Sequence, residues 1–294
     1  MRYGIALGLL LTAAVASQVA LETRSAHVER EPVIWLQSPE VARRLALGFD
    51  AVLADVYWLR AVQFYGDTKL STSQKKNYDL LYPLLDMTTG LDPRFNIAYR
   101  FGAILLSEGY PNGPGTPEQA IALLEKGIRA MPEKWQYYHD AGFVEYWWRQ
   151  DYLAASEWFV KASKLPGAPA WLPTVTAAML AQGGDRGSAR IMWTQLAQTA
   201  EQDWLRNAAI RGLRQLDAEQ AVEQLEAIVL RFRQGTGRLP EGWSELTRAG
   251  FLQGTPVDPV GVPYVLDNAS GRVDVAPESP LFPLRRARTT EGHA

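Results

Sequence analysis

A chain of 294 residues with 47% hydrophobic and 11% aromatic content has enough apolar material to bury a core, which excludes disorder over most of its length. Its 30 basic and 32 acidic residues leave a formal charge of −2, too little positive field to neutralise a phosphate backbone, so nucleic acid is not an expected partner. With 0 cysteines, disulfides, thiolate metal sites and cysteine nucleophiles are excluded together.

In chain order, the first element is a run of 19 uncharged residues, Tyr3 to Leu21, behind Arg2. It is just long enough for a membrane anchor, which needs about 20 mostly apolar residues. Ala14-Val15-Ala16 before Ser17 would instead serve as the cleavage site of a signal peptide. In both cases Arg2 keeps the N-terminus in the cytoplasm and the bulk of the chain faces outward. The expected location is therefore the cytoplasmic membrane with the bulk in the periplasm, or a secreted or periplasmic protein after cleavage. Residues 1–21 are the anchor or signal segment and 22–38 a linker.

Residues 39–216 read as paired helices. "LADVYWLRAVQFYGD" and "NYDLLYPLLDMTTGLDP", residues 53–67 and 77–93, form the first pair. Pro83 would cost about 3 kcal/mol inside a regular helix, so a kink or a late helix start is expected there. Farther on, Ala120, Ala155 and Ala189 recur at spacings of 35 and 34 residues, each followed four positions later by a large residue, Leu124, Phe159 or Trp193. Four positions apart is one helix face. Gly102 and Gly142 sit in the preceding helices, 40 residues apart, the surplus being taken up by the turn "PNGPG" at 111–115. Small residues at these places let neighbouring helices approach closely.

Residues 217–280 change character. A helix over 217–237 carries Val222, Leu225, Val229 and Phe232 as a one-sided stripe. A short helix in "RLPEGWSELTRAGFL" follows, then the turn "PVDPVGVPY", then "PYVL" and "RVDVA" around the loop "DNASG", which reads as a hairpin. Residues 281–294 are expected to be a flexible tail.

Two resemblances follow from these residues. The paired helices resemble the tetratricopeptide repeat, best in the unit with Tyr138, Ala141, Gly142, Tyr146, Ala155, Phe159, Ala162 and Pro166. That unit departs from the pattern by one extra residue before Asp151, and its neighbour has Gly127 where alanine is usual. The C-terminal unit looks like the globular head of the major pseudopilin of type II secretion, through Gly237, Arg238, Leu239 and Pro240, then Asp258, Pro259, Gly261, Pro263 and Tyr264. The N-terminus lacks the family's Gly-Phe-x-x-x-Glu start, so a filament subunit is not implied. Beyond Asp274 only Glu278 and Glu291 are acidic, and no calcium site is carried over. The fold expected is mainly α: a tetratricopeptide-like α-solenoid followed by a small α+β module.

No linear motif of catalysis is present. The 3 histidines, His27, His139 and His293, are scattered, and no Gly-rich phosphate loop, H-E-x-x-H or G-x-S-x-G occurs. Carboxylate pairs such as Glu219 and Glu223 read as a solvated helix face. No catalytic residue, metal ligand or cofactor is expected. The function expected is a non-enzymatic interaction scaffold of the bacterial cell envelope, binding a peptide or partner protein in the repeat groove, within a secretion or pilus-type assembly. The alternative is an envelope hydrolase with a site assembled across repeats.

Projecting the repeat pattern places Arg60, Gln63, Tyr99, His139, Phe143 and Trp147 on the groove side. Phe143 and Trp147 compete with a role in the core between repeats, the commoner use of aromatics at helical spacing. Arg60 and His139 are better groove candidates, because burying them requires partners.

Overall fold

The computed structural model describes residue 17 and residues 38–284. Apart from Ser17, the apolar run, the linker through residue 37 and residues 285–294 lie outside the described residues. Those described are mainly helical, with one two-stranded antiparallel sheet.

The helices are α1 (Pro39–Leu45), α2 (Asp50–Leu70), α3 (Leu81–Leu91), α4 (Asn96–Ser107), α5 (Pro117–Ala130), α6 (Trp135–Val144), α7 (Tyr152–Ser163), α8 (Leu172–Gln182), α9 (Arg186–Thr199), α10 (Asp203–Thr236) and α11 (Trp243–Arg248). The strands are β1 (Tyr264–Leu266) and β2 (Val273–Val275). Helix starts follow local chemistry. Proline stands in the first turn of α1, α5 and α8, where its missing N–H is not needed. Asp151 and Asp185 cap α7 and α9, their carboxylates accepting the N–H of Ala154 at 2.9 Å and of Ser188 at 3.0 Å. Pro83 produces the late start: α3 begins at Leu81, so the proline falls in its first turn.

From α3 to α10 each helix packs on the one before it, and α1 packs on α3. Ala120, Ala155 and Ala189 are fully buried, and Leu124, Phe159 and Trp193 are buried with them. Gly102 and Gly142 mark the close approaches: a Cβ on Gly102 would lie 2.9 Å from Leu123, and one on Gly142 would lie 2.8 Å from the Phe159 ring. Any larger residue there would force the helices apart.

α10 differs from the expectation. It begins at Asp203 rather than 217 and runs 34 residues without a break. Its first half covers α9, with Ala209 and Leu216 buried among Ala189 and Trp193. A Cβ on Gly212 would lie 2.5 Å from the Trp193 ring, so that glycine lets the two helices touch. The stripe of Val222, Leu225, Val229 and Phe232 lies farther along and packs with Leu246, Tyr264, Val273, Val275 and Leu281. The stripe therefore serves the hairpin, and the end of the paired helices is covered by residues before it. The proposed boundary at 216 falls inside one continuous helix, and Leu281, expected in the tail, is buried in the core of the module.

β1 and β2 pair Tyr264 with Val275 and Leu266 with Val273. The turn ahead of them is built around Asp258, whose Oδ1 accepts the N–H groups of Val260 and Val262, both at 2.9 Å. The Ser279 hydroxyl donates to Oδ2. Gly261 takes φ +90° within this turn, a conformation glycine adopts without strain. Burial alone would raise the Asp258 carboxyl, but the bonds from Ser279, Val262, Val260 and Gly261 outweigh it and hold the group below the ordinary carboxylate range.

Candidate protein-binding surface

The six groove candidates do not form one surface. Tyr99 is fully buried: its ring packs against Tyr137 with centroids 5.3 Å apart, and its phenol is pushed up to about 12 by burial. It presents nothing to a groove, and the reason is Gly127 on α5, where a Cβ would lie 3.0 Å from the Tyr99 ring. The glycine in place of the usual alanine opens the slot that the tyrosine fills.

His139 is half-buried in an aromatic box, its ring 5.6 Å from Phe159, 5.7 Å from Trp171 and 6.0 Å from Trp135. Its Nδ1 is 3.1 Å from Asp140 Oδ1. Arg60 is half-buried on α2 with its guanidinium 5.8 Å from the Tyr57 ring centre, and Gln63 is exposed on the same helix. His139 thus has ring neighbours and the Asp140 carboxylate as partners, and the Arg60 guanidinium lies beside the Tyr57 ring.

Phe143 and Trp147 reverse the core expectation. Phe143 is 36% exposed and Trp147 60% exposed, their rings stacked at 6.1 Å and 12°. They stand where α6 ends in a single π turn, Glu145–Arg149. That turn absorbs the extra residue that breaks the repeat pattern before Asp151. A one-residue insertion in a helix takes this form, often at sites of function. Within the turn Glu145 is buried, which pushes its carboxyl up, against the opposing pull of Arg149, whose Nη1 donates to Oε1 at 3.2 Å.

A further apolar face escaped the projection. On α4, Ile97, Phe101 and Ile104 are 51%, 57% and 42% exposed. Their counterparts 40 residues later on α6, Tyr137, Ala141 and Val144, are 0%, 0% and 1% exposed. The α6 face is filled by its neighbours; the same face of α4 is open. α2 lies alongside without closing it. Trp58 meets Phe95, just before α4, with ring centroids 6.0 Å apart, and the Tyr65 hydroxyl donates to the Asn112 carbonyl beyond its end at 2.9 Å. Val62, on the α2 face that carries Trp58 and Tyr65, is 41% exposed between those contacts. α2 thus meets the segments just before and just after α4, and the apolar face of α4 between them stays open. The one sequence sign of this is length: α2 has 21 residues against 12, 10 and 11 in α4, α6 and α8, so it does not stack as they do.

Among the described residues no group of three or more metal-ligating side chains is assembled, and no helix is long and apolar enough to cross a membrane. No protein-family model, characterised protein or solved structure matches the chain.

Proposed function

We propose that this protein is a non-enzymatic interaction scaffold of the bacterial envelope, whose stacked, tetratricopeptide-like helix pairs hold an apolar helix of a partner protein against the open face of α4. The observation that carries the reading is the contrast between Ile97, Phe101 and Ile104 and their buried counterparts Tyr137, Ala141 and Val144. One pair later, Tyr137 on that face packs against Tyr99 of α4 and beside Gly127 of α5, so helices are what the corresponding face receives. Recognition of this kind seats an apolar stripe of three or four side chains in a groove. The exposed Phe143–Trp147 stack offers a second anchor of the aromatic type that dominates binding hot spots.

In this reading the run over 3–21 holds the chain at the cytoplasmic membrane, with the helices on the periplasmic side. The C-terminal module, by its sequence likeness to a pseudopilin head, adds the contact to a secretion or pilus-type assembly. Its single core and short hairpin support a role as a self-contained docking piece.

The test replaces Phe101 and Ile104 by serine in the full chain and, separately, places a photo-crosslinking residue at 101 or at the exposed Ile191 on α9. Substitution of such exposed side chains shifts stability by about 0.5 kcal/mol or less. The expected result is one defined protein adduct from position 101, none from 191, and loss of that partner in the double serine variant. Identical adducts from both positions, or an unchanged partner yield from the serine variant, would overturn the assignment of the open face.

A further inference from the structure

Between α1 and α2 the chain turns through Ala46–Phe49 and displays three large apolar side chains to solvent: Leu45 is 63% exposed, Leu47 85% and Phe49 69%. Val41, one turn before Leu45 on α1, is 48% exposed and extends the same apolar edge. Leu47 is the most exposed large hydrophobic residue described. It is also held at φ +49°, followed by Gly48 at φ +91°. A leucine in the left-handed region is strained, and residues with short polar side chains are the usual exceptions there. The strained residue is thus also one whose side chain water disfavours.

The surface is a projecting turn and not a groove, which fits a soft apolar medium better than the side chains of a partner helix. It also stands near the point where the described chain begins. The linker over 22–38 and helix α1 separate it from the uncharged run 3–21, and the 17 linker residues reach at most roughly 60 Å when extended. Arg44, exposed just ahead of Leu45, supplies a cation of the kind that accompanies interfacial apolar residues at anionic headgroups. We infer that the turn Ala46–Phe49 inserts Leu45, Leu47 and Phe49 into the interfacial layer of a lipid bilayer, giving the paired helices a second contact with the membrane and a fixed orientation on it. This rests on the reading that residues 3–21 hold the chain at a membrane.

The absence of cysteine makes the test direct. Single-cysteine full-length variants Leu47→Cys and Ile191→Cys are labelled with an environment-sensitive fluorophore and reconstituted into phosphatidylcholine–phosphatidylglycerol vesicles, with or without lipids carrying a shallow quencher. Flotation reports the anchor and quenching reports the turn. The expected result is that both variants float, that the label at 47 shifts to the blue and loses most of its emission to the quencher, and that the label at 191 does neither. Flotation with an unquenched label at 47 overturns the inference and leaves the anchor standing. A blue shift at 47 without quenching by lipid also overturns it, in favour of a second copy or another protein on the turn. Failure of both variants to float overturns the anchor reading and this inference with it.

Discussion

α10 solves two packing problems along one axis. Over its first half it lies on another helix, and small residues set the closest approach: Gly212 meets the Trp193 ring, with Ala209 and Leu216 buried beside it. Over its second half it lies under a hairpin of two three-residue strands, and contact is made by large residues, Leu225, Val229 and Phe232, against Tyr264, Val273 and Val275. Two strands alone are marginal in water. The hairpin therefore depends on the stripe beneath it and on the Asp258 turn beside it, whereas each helix pair is held by close approach over several turns. The two regions share a backbone but not a source of stability, and perturbations placed in one should be read separately in the other. Ion pairs bridge the joint: Arg186 to Glu223 and Arg190 to Asp217, both at 2.7 Å, are largely exposed and contribute little, whereas Glu219, expected on a solvated face, is buried with its Oε2 3.8 Å from Arg186 Nε.

The largest effect is expected from Ala155→Arg. The side chain is fully buried beneath α6, and an arginine there combines overpacking with a charge that has no buried partner, a loss of about 3–5 kcal/mol. Hydrogen exchange measured peptide by peptide should show protection collapsing across α6–α9 while residues 264–275 stay protected. If the hairpin opens together with the helices, the protein is one cooperative unit and the contrast between the halves of α10 has no energetic meaning. A variant that melts like the parent would instead disprove the packing of α6 on α7 through this alanine.

Gly212→Ala tests the joint with a smaller change. The added methyl would stand 2.5 to 2.8 Å from three atoms of the Trp193 ring, and overpacking of this size costs about 1–3 kcal/mol. Protection should fall in α9 and in the first half of α10, with the hairpin unaffected. An unchanged melting temperature would mean that α10 slides on α9 at no cost, and that its first half is not a fitted cover.

How much of the fold and of the binding surface is legible in the sequence depends on what each feature rests on. Small residues at a shared spacing encode local geometry, so Ala120, Ala155, Ala189, Gly102 and Gly142 point to close helix contacts by their spacing alone. The hairpin is legible because asparagine and glycine between β-type runs act locally. The Tyr99 assignment fails for a reason in plain view, since Gly127 stands where alanine is expected, but only packing shows which ring enters the gap. The exposure of Ile97, Phe101 and Ile104 is not legible at all. Those residues have core character, and what bares them is the position of α2, a tertiary fact with no local signature beyond its length. α10 reads as divided at 217 because its two apolar stripes face different partners, which breaks the single periodicity that marks one helix.

The smallest effect should appear in acid, and it separates the two regions by size. The C-terminal module contains three carboxyls held below their ordinary range. Asp258 is lowered by Ser279 and backbone N–H groups against the cost of burial. Glu245 is held at about 2 by Arg238 and the Glu241 N–H, and Asp267 is lowered by Ser270 and the Ala269 N–H. A carboxyl whose pKa is depressed by folding contributes stability that is complete above its unfolded value, about 4, and is lost as pH falls through the folded value. Glu145, among the paired helices, is shifted the other way by burial, so its ionisation opposes folding and acid relieves it. Asp185, which caps α9, and Glu40 on α1 are the counterweights there, lowered by Ser188 and Ser38. Lowering pH from 6 to below about 4 should therefore release the hairpin before the helix pairs, with exchange rising first in residues 264–275. Asp258→Asn sharpens the test. An asparagine Oδ1 still accepts the Val260 and Val262 N–H groups, and its amide donates to the Ser279 hydroxyl, so the turn survives at neutral pH with its own acid response removed. If the asparagine variant opens at the same pH as the parent, the Asp258 carboxylate is not the group whose protonation loosens the module, and Glu245 and Asp267 are left to account for it.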